Sequence, residues 1–182
     1  MSWIIALPLA LVVSQDSHSN WDRYFWISAE QSVKVLGTQE GRHGFTMHLQ
    51  NARPDPVMNI RKHPGQFVWE GYASFNWGGI RASGKVQTAS IGGLGLLRHV
   101  YGSPGHRRWF WEAGWGLQYT TETSIDLPSQ FNSTPTIGIG WIDKLGNNEI
   151  LIALRFFHIS NAGTKGSNNG QNIVKLMVGV KV

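Results

Sequence analysis

The chain has no cysteine among its 182 residues, so neither a disulfide framework nor a thiolate metal site is available to hold it together. Charge is also scarce, with Asp, Glu, Lys and Arg making up 15% of the sequence. No uninterrupted apolar run reaches the roughly eighteen residues that a transmembrane helix needs, which argues against a helical membrane protein. The net charge is +5, but its basic residues are scattered and accompany no nucleic-acid-binding motif, so no nucleic-acid partner is expected. What is abundant is glycine, with 22 residues, and tryptophan, with nine. That balance fits a transmembrane β-barrel, although composition alone also allows a soluble all-β protein.

The hydrophobic pattern has a period of two, the repeat of a strand with two different faces. Phe67, Trp69, Ala73, Phe75 and Trp77 alternate with Gln66, Glu70, Tyr72, Ser74 and Asn76. Trp109, Trp111, Ala113, Trp115, Leu117 and Tyr119 alternate with Glu112, Gly114, Gly116 and Gln118. Further strands are expected over residues 24–30, 45–50, 85–100, 137–141, 149–160 and from 172 onward, eight in all. Residues 51–65, which include three prolines, read as a connection, with a stretch of strand allowed around Val57 to Ile60. Tyr101 to Gly105 and Leu145 to Asn148 read as turns, and Thr121 to Thr134 as a polar loop.

An even number of strands can close on itself and leave no free edge. The expected fold is therefore all-β, an eight-stranded antiparallel transmembrane β-barrel over residues 15–182. Trp69, Trp77, Trp109, Trp111, Trp115 and Trp141 would face outward, and Glu70, Glu112 and Arg155 would face the lumen, where opposite charges compensate. Before it, Trp3 to Val13 has the length of a signal-peptide apolar segment, so residues 1–14 are expected to lie outside the fold.

Candidate chemistry collects near the end of the chain. On the strand ending at Ser160, the residues Ile150, Ile152, Leu154, Phe156, His158 and Ser160 share one face, opposite Glu149, Ala153, Arg155 and Phe157. The last strand carries Asn172 in phase with Val174, Leu176, Val178, Val180 and Val182. A base and a hydroxyl at the end of an oily face are ordinarily satisfied polar groups near a loop. Here the opposite face is the polar one, so the sharper reading is a Ser-His hydrolytic pair on a lipid-facing wall. The remaining histidines have no metal-ligand spacing: His43 and His48, five apart on one strand, face opposite sides.

The segment Phe157-His158-Ile159-Ser160-Asn161-Ala162-Gly163, followed by Asn168-Asn169-Gly170-Gln171-Asn172, resembles the outer-membrane lipid A 3-O-deacylases. The resemblance implies a barrel in the bacterial outer membrane, with its active site toward the outer leaflet. Such an enzyme removes the ester-linked 3-hydroxyacyl chain at position 3 of lipid A, using no cofactor and no metal. It implies Ser160 as nucleophile and His158 as base, with Asn161 and the Gly163 amide as oxyanion donors.

Where the family's triad has a glutamate, this chain has Asn172, which can orient an imidazole but lends no full charge to the imidazolium. A glutamate installed at 172 is accordingly expected to serve at least as well. Glu122 and Asp126 in the preceding loop stay open as substitutes for the third member. Arg42, Arg81, Lys85 and Lys165, on expected extracellular loops, would meet the phosphates of lipid A. The expected partners are lipopolysaccharide and outer-membrane lipid, and a homodimer stays open. The alternatives are a non-catalytic small outer-membrane barrel, structural or adhesive, and a soluble lipocalin-like barrel that holds an apolar ligand.

Overall fold

The computed structural model describes residues 21–182 apart from 61, 62, 104 and 165–168. The stretch read as a signal peptide, and also Lys165 and Asn168, lie outside the described residues.

Nine strands follow in chain order: β1 Asp22–Ser32, β2 His43–Ile60, β3 His63–Arg81, β4 Gly84–Tyr101, β5 Arg108–Thr120, β6 Phe131–Ser133, β7 Thr136–Leu145, β8 Asn148–Ile159 and β9 Gln171–Lys181. All pair antiparallel, and β4 pairs with β5 while β1 pairs with β9. Eight long strands thus close into a barrel, and β6 is a short addition against β5. The connections 33–42, 82–83 and 121–135, with residues 160–164 and 169–170, gather at the end of the barrel opposite the N-terminus of β1 and the C-terminus of β9.

Closure lets every strand choose between two environments, and the sequence chooses consistently. Trp69, Trp109 and Trp115 are each more than half exposed, as are Ile137, Ile139 and Leu176, while their chain neighbours turn inward. Trp111 and Trp141 share the outward phase but are half-covered, Trp111 by stacking on His99 at 4.7 Å and Trp141 by Trp109 at 5.5 Å. An apolar belt of this extent would aggregate in water and is the natural surface of a protein solvated by lipid.

The lumen is packed with ion pairs. Arg155, fully buried, bridges two carboxylates: Nη1 stands 2.8 Å from Glu70 Oε2, and Nε 2.8 Å from Glu112 Oε1. Arg98 donates to the other oxygen of Glu112 at 2.7 Å and to Gln50 at 2.8 Å. Lys175 meets Glu30 at 2.7 Å and lies 4.4 Å from the Phe157 ring centroid. His48, on the inner face, lies between Ser28 and Glu70, while His43 is exposed against Trp77. Aromatic rings fill the space left by inward glycines, with Trp26 over Gly179 and Phe110 over Gly140. Among the described residues, a lumen filled with paired charges does not suit the apolar ligand of a lipocalin-type barrel.

Of the expected connection over residues 51–65, residues 51–60 and 63–65 are instead strand. β2 continues to Ile60, and β3 begins at His63, so this hairpin extends past the end of β1. Pairing of β2 with β1 stops at Ala52. Beyond that point one edge of β2 has no strand partner, and an imino nitrogen at Pro54 or Pro56 costs no ladder hydrogen bond there.

Removing one partner of a buried ion pair strands the other charge, a loss of about 3–5 kcal/mol. Arg155→Ala, which strands both Glu70 and Glu112, is expected to lower the urea midpoint of the detergent-folded barrel far more than Leu154→Ala on the outer face. Tryptophan fluorescence with the heat-modifiable gel shift measures both. Equal midpoints would remove the lumen network from the account of stability.

Candidate active site

His158 is the last but one residue of β8, and its register partner across the ladder is Asn172, the second residue of β9. Directly opposed residues on one face bring their side chains together. Here the imidazole Nδ1 lies 2.8 Å from Asn172 Oδ1. The imidazole continues the outward row of Leu154 and Phe156 and is half-exposed, whereas Asn172 is fully buried.

Asn172 is buried by the connection between β1 and β2. Its Nδ2 donates to the Val35 carbonyl and to Thr38 Oγ1, each at 2.7 Å, and its backbone N–H donates to Thr38 Oγ1 at 3.0 Å. Leu36 and Gly37, with φ of 49° and 92°, turn this connection toward the one between β8 and β9. A side chain at Gly37 would meet the Asn169 carbonyl oxygen at 3.1 Å. Gly170 approaches the imidazole closely: its φ is +68°, and a Cβ there would stand 2.7 Å from His158 Cε1.

Ser160 lies two residues beyond His158 and is buried, because the short strand β6 covers it. Ser133 and Ser160 exchange backbone hydrogen bonds at 2.7 and 3.1 Å, and their hydroxyl oxygens are 3.4 Å apart. The Ser160 hydroxyl therefore has Ser133 as its side-chain neighbour in this state. Past it, Asn161 Oδ1 accepts the Gly163 N–H at 2.9 Å, in a turn where Ala162 and Gly163 have φ of 53° and 77°. The two expected oxyanion groups are thus adjacent, and the Gly163 amide is bonded to Asn161.

The four basic residues separate into different situations. Arg42 is withdrawn from any ligand at the rim: it is 3% exposed, with Nε 2.8 Å from Glu40 Oε2, and its Nη2 donates to Ser124. Burial beside its own carboxylate partner is the reason, and the spacing Glu40-Gly41-Arg42 was the available signal. Arg81 sits at the rim, partly exposed, against Glu122 at 2.5 Å and the Thr123 carbonyl at 2.7 Å. Lys85 is exposed at the start of β4.

Of the two loop carboxylates, Glu122 is held by Arg81. Asp126 is fully buried and accepts the amides of Gln39 and Glu40 at 2.9 and 2.8 Å. Burial pushes its carboxyl above the ordinary range, against the lowering effect of those amides. Asn172 is the partner of the imidazole among the described residues. Thr38, Ser133 and Gly170 were not legible as site residues, since each acts through a contact between connections distant in sequence. Among the described residues, no group of three or more His, Cys, Asp or Glu side chains could hold a metal ion.

Residues 40–181 match the profile of the family described as Lipid A 3-O-deacylase (PagL). The chain belongs to this family. Among solved structures, it is similar to the crystal structure of the outer membrane enzyme PagL, with a TM-score of 0.59, 19% identity and coverage of 86% of this chain and 99% of that one. It is also similar to that of Neisserial surface protein A (NspA), with a TM-score of 0.60, 15% identity and coverage of 90% and 97%. At these identities both likenesses speak for the fold, an outer-membrane barrel. No curated protein matches the sequence.

For this lipid A deacylase family member, the Gly170 contact yields a direct expectation. Gly170→Val would force a left-handed β-branched residue against the imidazole. If the imidazole is the working base, deacylation, assayed by mass spectrometry of lipid A, should fall by roughly tenfold or more, as expected when such a group is displaced by about an ångström. The heat-modifiable gel shift should persist. Unchanged activity would mean that the ring position seen here is not the working one.

Proposed function

We propose that this protein is a serine esterase that removes the 3-hydroxyacyl chain from position 3 of lipid A. The observation that carries the reading is the 2.8 Å contact between His158 and its register partner Asn172 on the outer wall, with Ser160 just past the end of β8, two residues beyond His158. A hydrolytic pair inside the lumen could not reach a lipid ester. One on the outer face meets a lipid in the plane of the membrane.

With Nδ1 engaged by Asn172, Nε2 is the nitrogen left to act. In the proposed cycle, Ser160 Oγ leaves Ser133, gives its proton to Nε2 and attacks the ester carbonyl. Collapse of the tetrahedral adduct breaks the acyl C–O bond, and the imidazolium returns the proton to the sugar 3-oxygen. Water then hydrolyses the acyl-Ser160 ester by the same route and releases a 3-hydroxy fatty acid. Asn161 and the Gly163 amide serve the oxyanion. The amide first has to exchange Asn161 Oδ1 for the substrate oxygen.

The acyl chain has a natural place. An apolar groove of about 230 Å³ on the outer wall is lined by Ile137, Ile139, Leu154, Phe156 and Val174, directly below His158 in strand phase. Arg81 and Lys85, on the rim formed by the connections, are the cations for the phosphates of lipid A, with Arg81 exchanging Glu122 for phosphate. The connections 33–42, 121–135 and 160–170 face the outer leaflet in this reading. The NspA-like fold by itself does not favour the non-catalytic alternative, because that likeness is one of architecture.

Ser160→Ala and His158→Ala should each abolish release of the acyl chain, read by mass spectrometry of lipid A, while the protein stays membrane-inserted and heat-modifiable. Asn172→Ala should lower the rate by roughly tenfold or more, since the imidazole loses its orienter. Asp126→Asn keeps an acceptor for the Gln39 and Glu40 amides and should retain activity. A silent Asn172→Ala beside an inactive Asp126→Asn would displace Asn172 from the mechanism. Near-normal activity of Ser160→Ala would overturn the esterase assignment.

A further inference from the structure

Asn172 raises a question of selection: what in this chain suits an amide where a carboxylate would orient the imidazole and also carry charge? The answer lies in the connection between β1 and β2. The Val35 carbonyl can only accept, and it stands 2.7 Å from Asn172 Nδ2. That contact favours one end of the amide as nitrogen, a choice that geometry alone leaves open for an asparagine.

Thr38 completes the assignment. Its hydroxyl donates to the Gly170 carbonyl at 3.3 Å, so its lone pairs are left to receive the Asn172 backbone N–H at 3.0 Å and Nδ2 at 2.7 Å. Both hydrogens of the amide nitrogen are thus spoken for by acceptors. Oδ1 is then the atom that faces His158 Nδ1, and an acceptor there requires the neutral ring to carry its proton on Nδ1.

The connection is itself held in place. Val35 O also accepts the Thr38 N–H at 3.1 Å, and Val33 N donates to Asn172 O at 2.9 Å. Immediately after Thr38, the amides of Gln39 and Glu40 are anchored on Asp126. Val35 and Thr38 precede residue 40, where the match to the family begins.

We infer that Thr38, with the Val35 carbonyl, is a positioning residue that selects an amide at 172 and thereby sets His158 in the Nδ1–H tautomer. The inference rests on the proposed role of His158 as the base. An isosteric carboxylate at 172 would bring a second acceptor to 2.7 Å from the Val35 oxygen, an unfavourable contact in a buried site.

The test uses the full chain folded in detergent, with folding verified by the heat-modifiable gel shift. The His158 tautomer is read by 15N and 13C NMR of histidine-labelled protein with the ring neutral, and kcat and KM are measured on lipid A. Wild type should show the proton on Nδ1. Thr38→Val, similar in shape but unable to accept, should give a mixture of tautomers and a kcat lowered by roughly tenfold with little change in KM, as for a group that acts on the base rather than on binding.

Thr38→Ser should restore both readings, which a purely steric role would not require. Asn172→Asp should be slower than wild type. A Thr38→Val protein with an undisturbed Nδ1–H tautomer and wild-type kcat, or an Asn172→Asp protein faster than wild type, would overturn the inference. If the tautomer shifts in Thr38→Val but Ser160→Ala retains activity, the positioning role stands and it is the catalytic reading of the pair that fails.

Discussion

The constraint on which the structure depends is the two-residue period of the strand combined with closure. Once eight strands hydrogen-bond in a ring, each side chain has lipid or lumen as its surroundings, with nothing between. Apolar residues go to the lipid, and the polar ones must satisfy one another within a narrow bore. The lattice around Arg155, Glu70, Glu112 and Arg98 is the outcome: each charge is neutralised by a neighbour from another strand. Such burial is costly for any single ion, and loss of one member is felt by the rest.

The same constraint locates the site. His158 has the phase of Leu154 and Phe156, a phase otherwise given over to lipid contact, and a polar group there would be out of place in the middle of the wall. It is tolerated at the last but one residue of β8, where the connections begin to supply partners. Asn172 directly opposite gives one, and the Val35 and Thr38 turn supplies the next layer. Precision comes from the ladder, whose register is held over ten residue pairs from Ile150 to Ile159. Loops alone would hold such a constellation less well.

Strand phase was legible because it is local: Glu70 and Glu112 inward and Trp69, Trp109 and Trp115 outward follow from counting by two. The pair His158 and Asn172 was legible for the same reason, given a hairpin whose connection returns β9 in register. Residues 51–65 misled because prolines are read as breakers, and the edge that tolerates Pro54 and Pro56 exists only after the neighbouring strand has ended. Arg42 misled because its formal charge is visible, whereas its partners Glu40 and Ser124 are brought around it by the fold. Thr38, Ser133 and Gly170 belong to contacts between connections, for which the sequence has no periodic signal.

The central claim is that Ser160 on the outer wall is the nucleophile. It is tested most directly by trapping the adduct: the folded protein is treated with a long-chain alkyl phosphonate that reacts with activated serines, and the labelled peptide is mapped by mass spectrometry. The account predicts phosphonate on Ser160 in the wild-type protein and none when His158 is replaced by Ala. Labelling of Ser133, the neighbouring hydroxyl at 3.4 Å, in place of Ser160, or equal labelling of Ser160 with and without the imidazole, would contradict it.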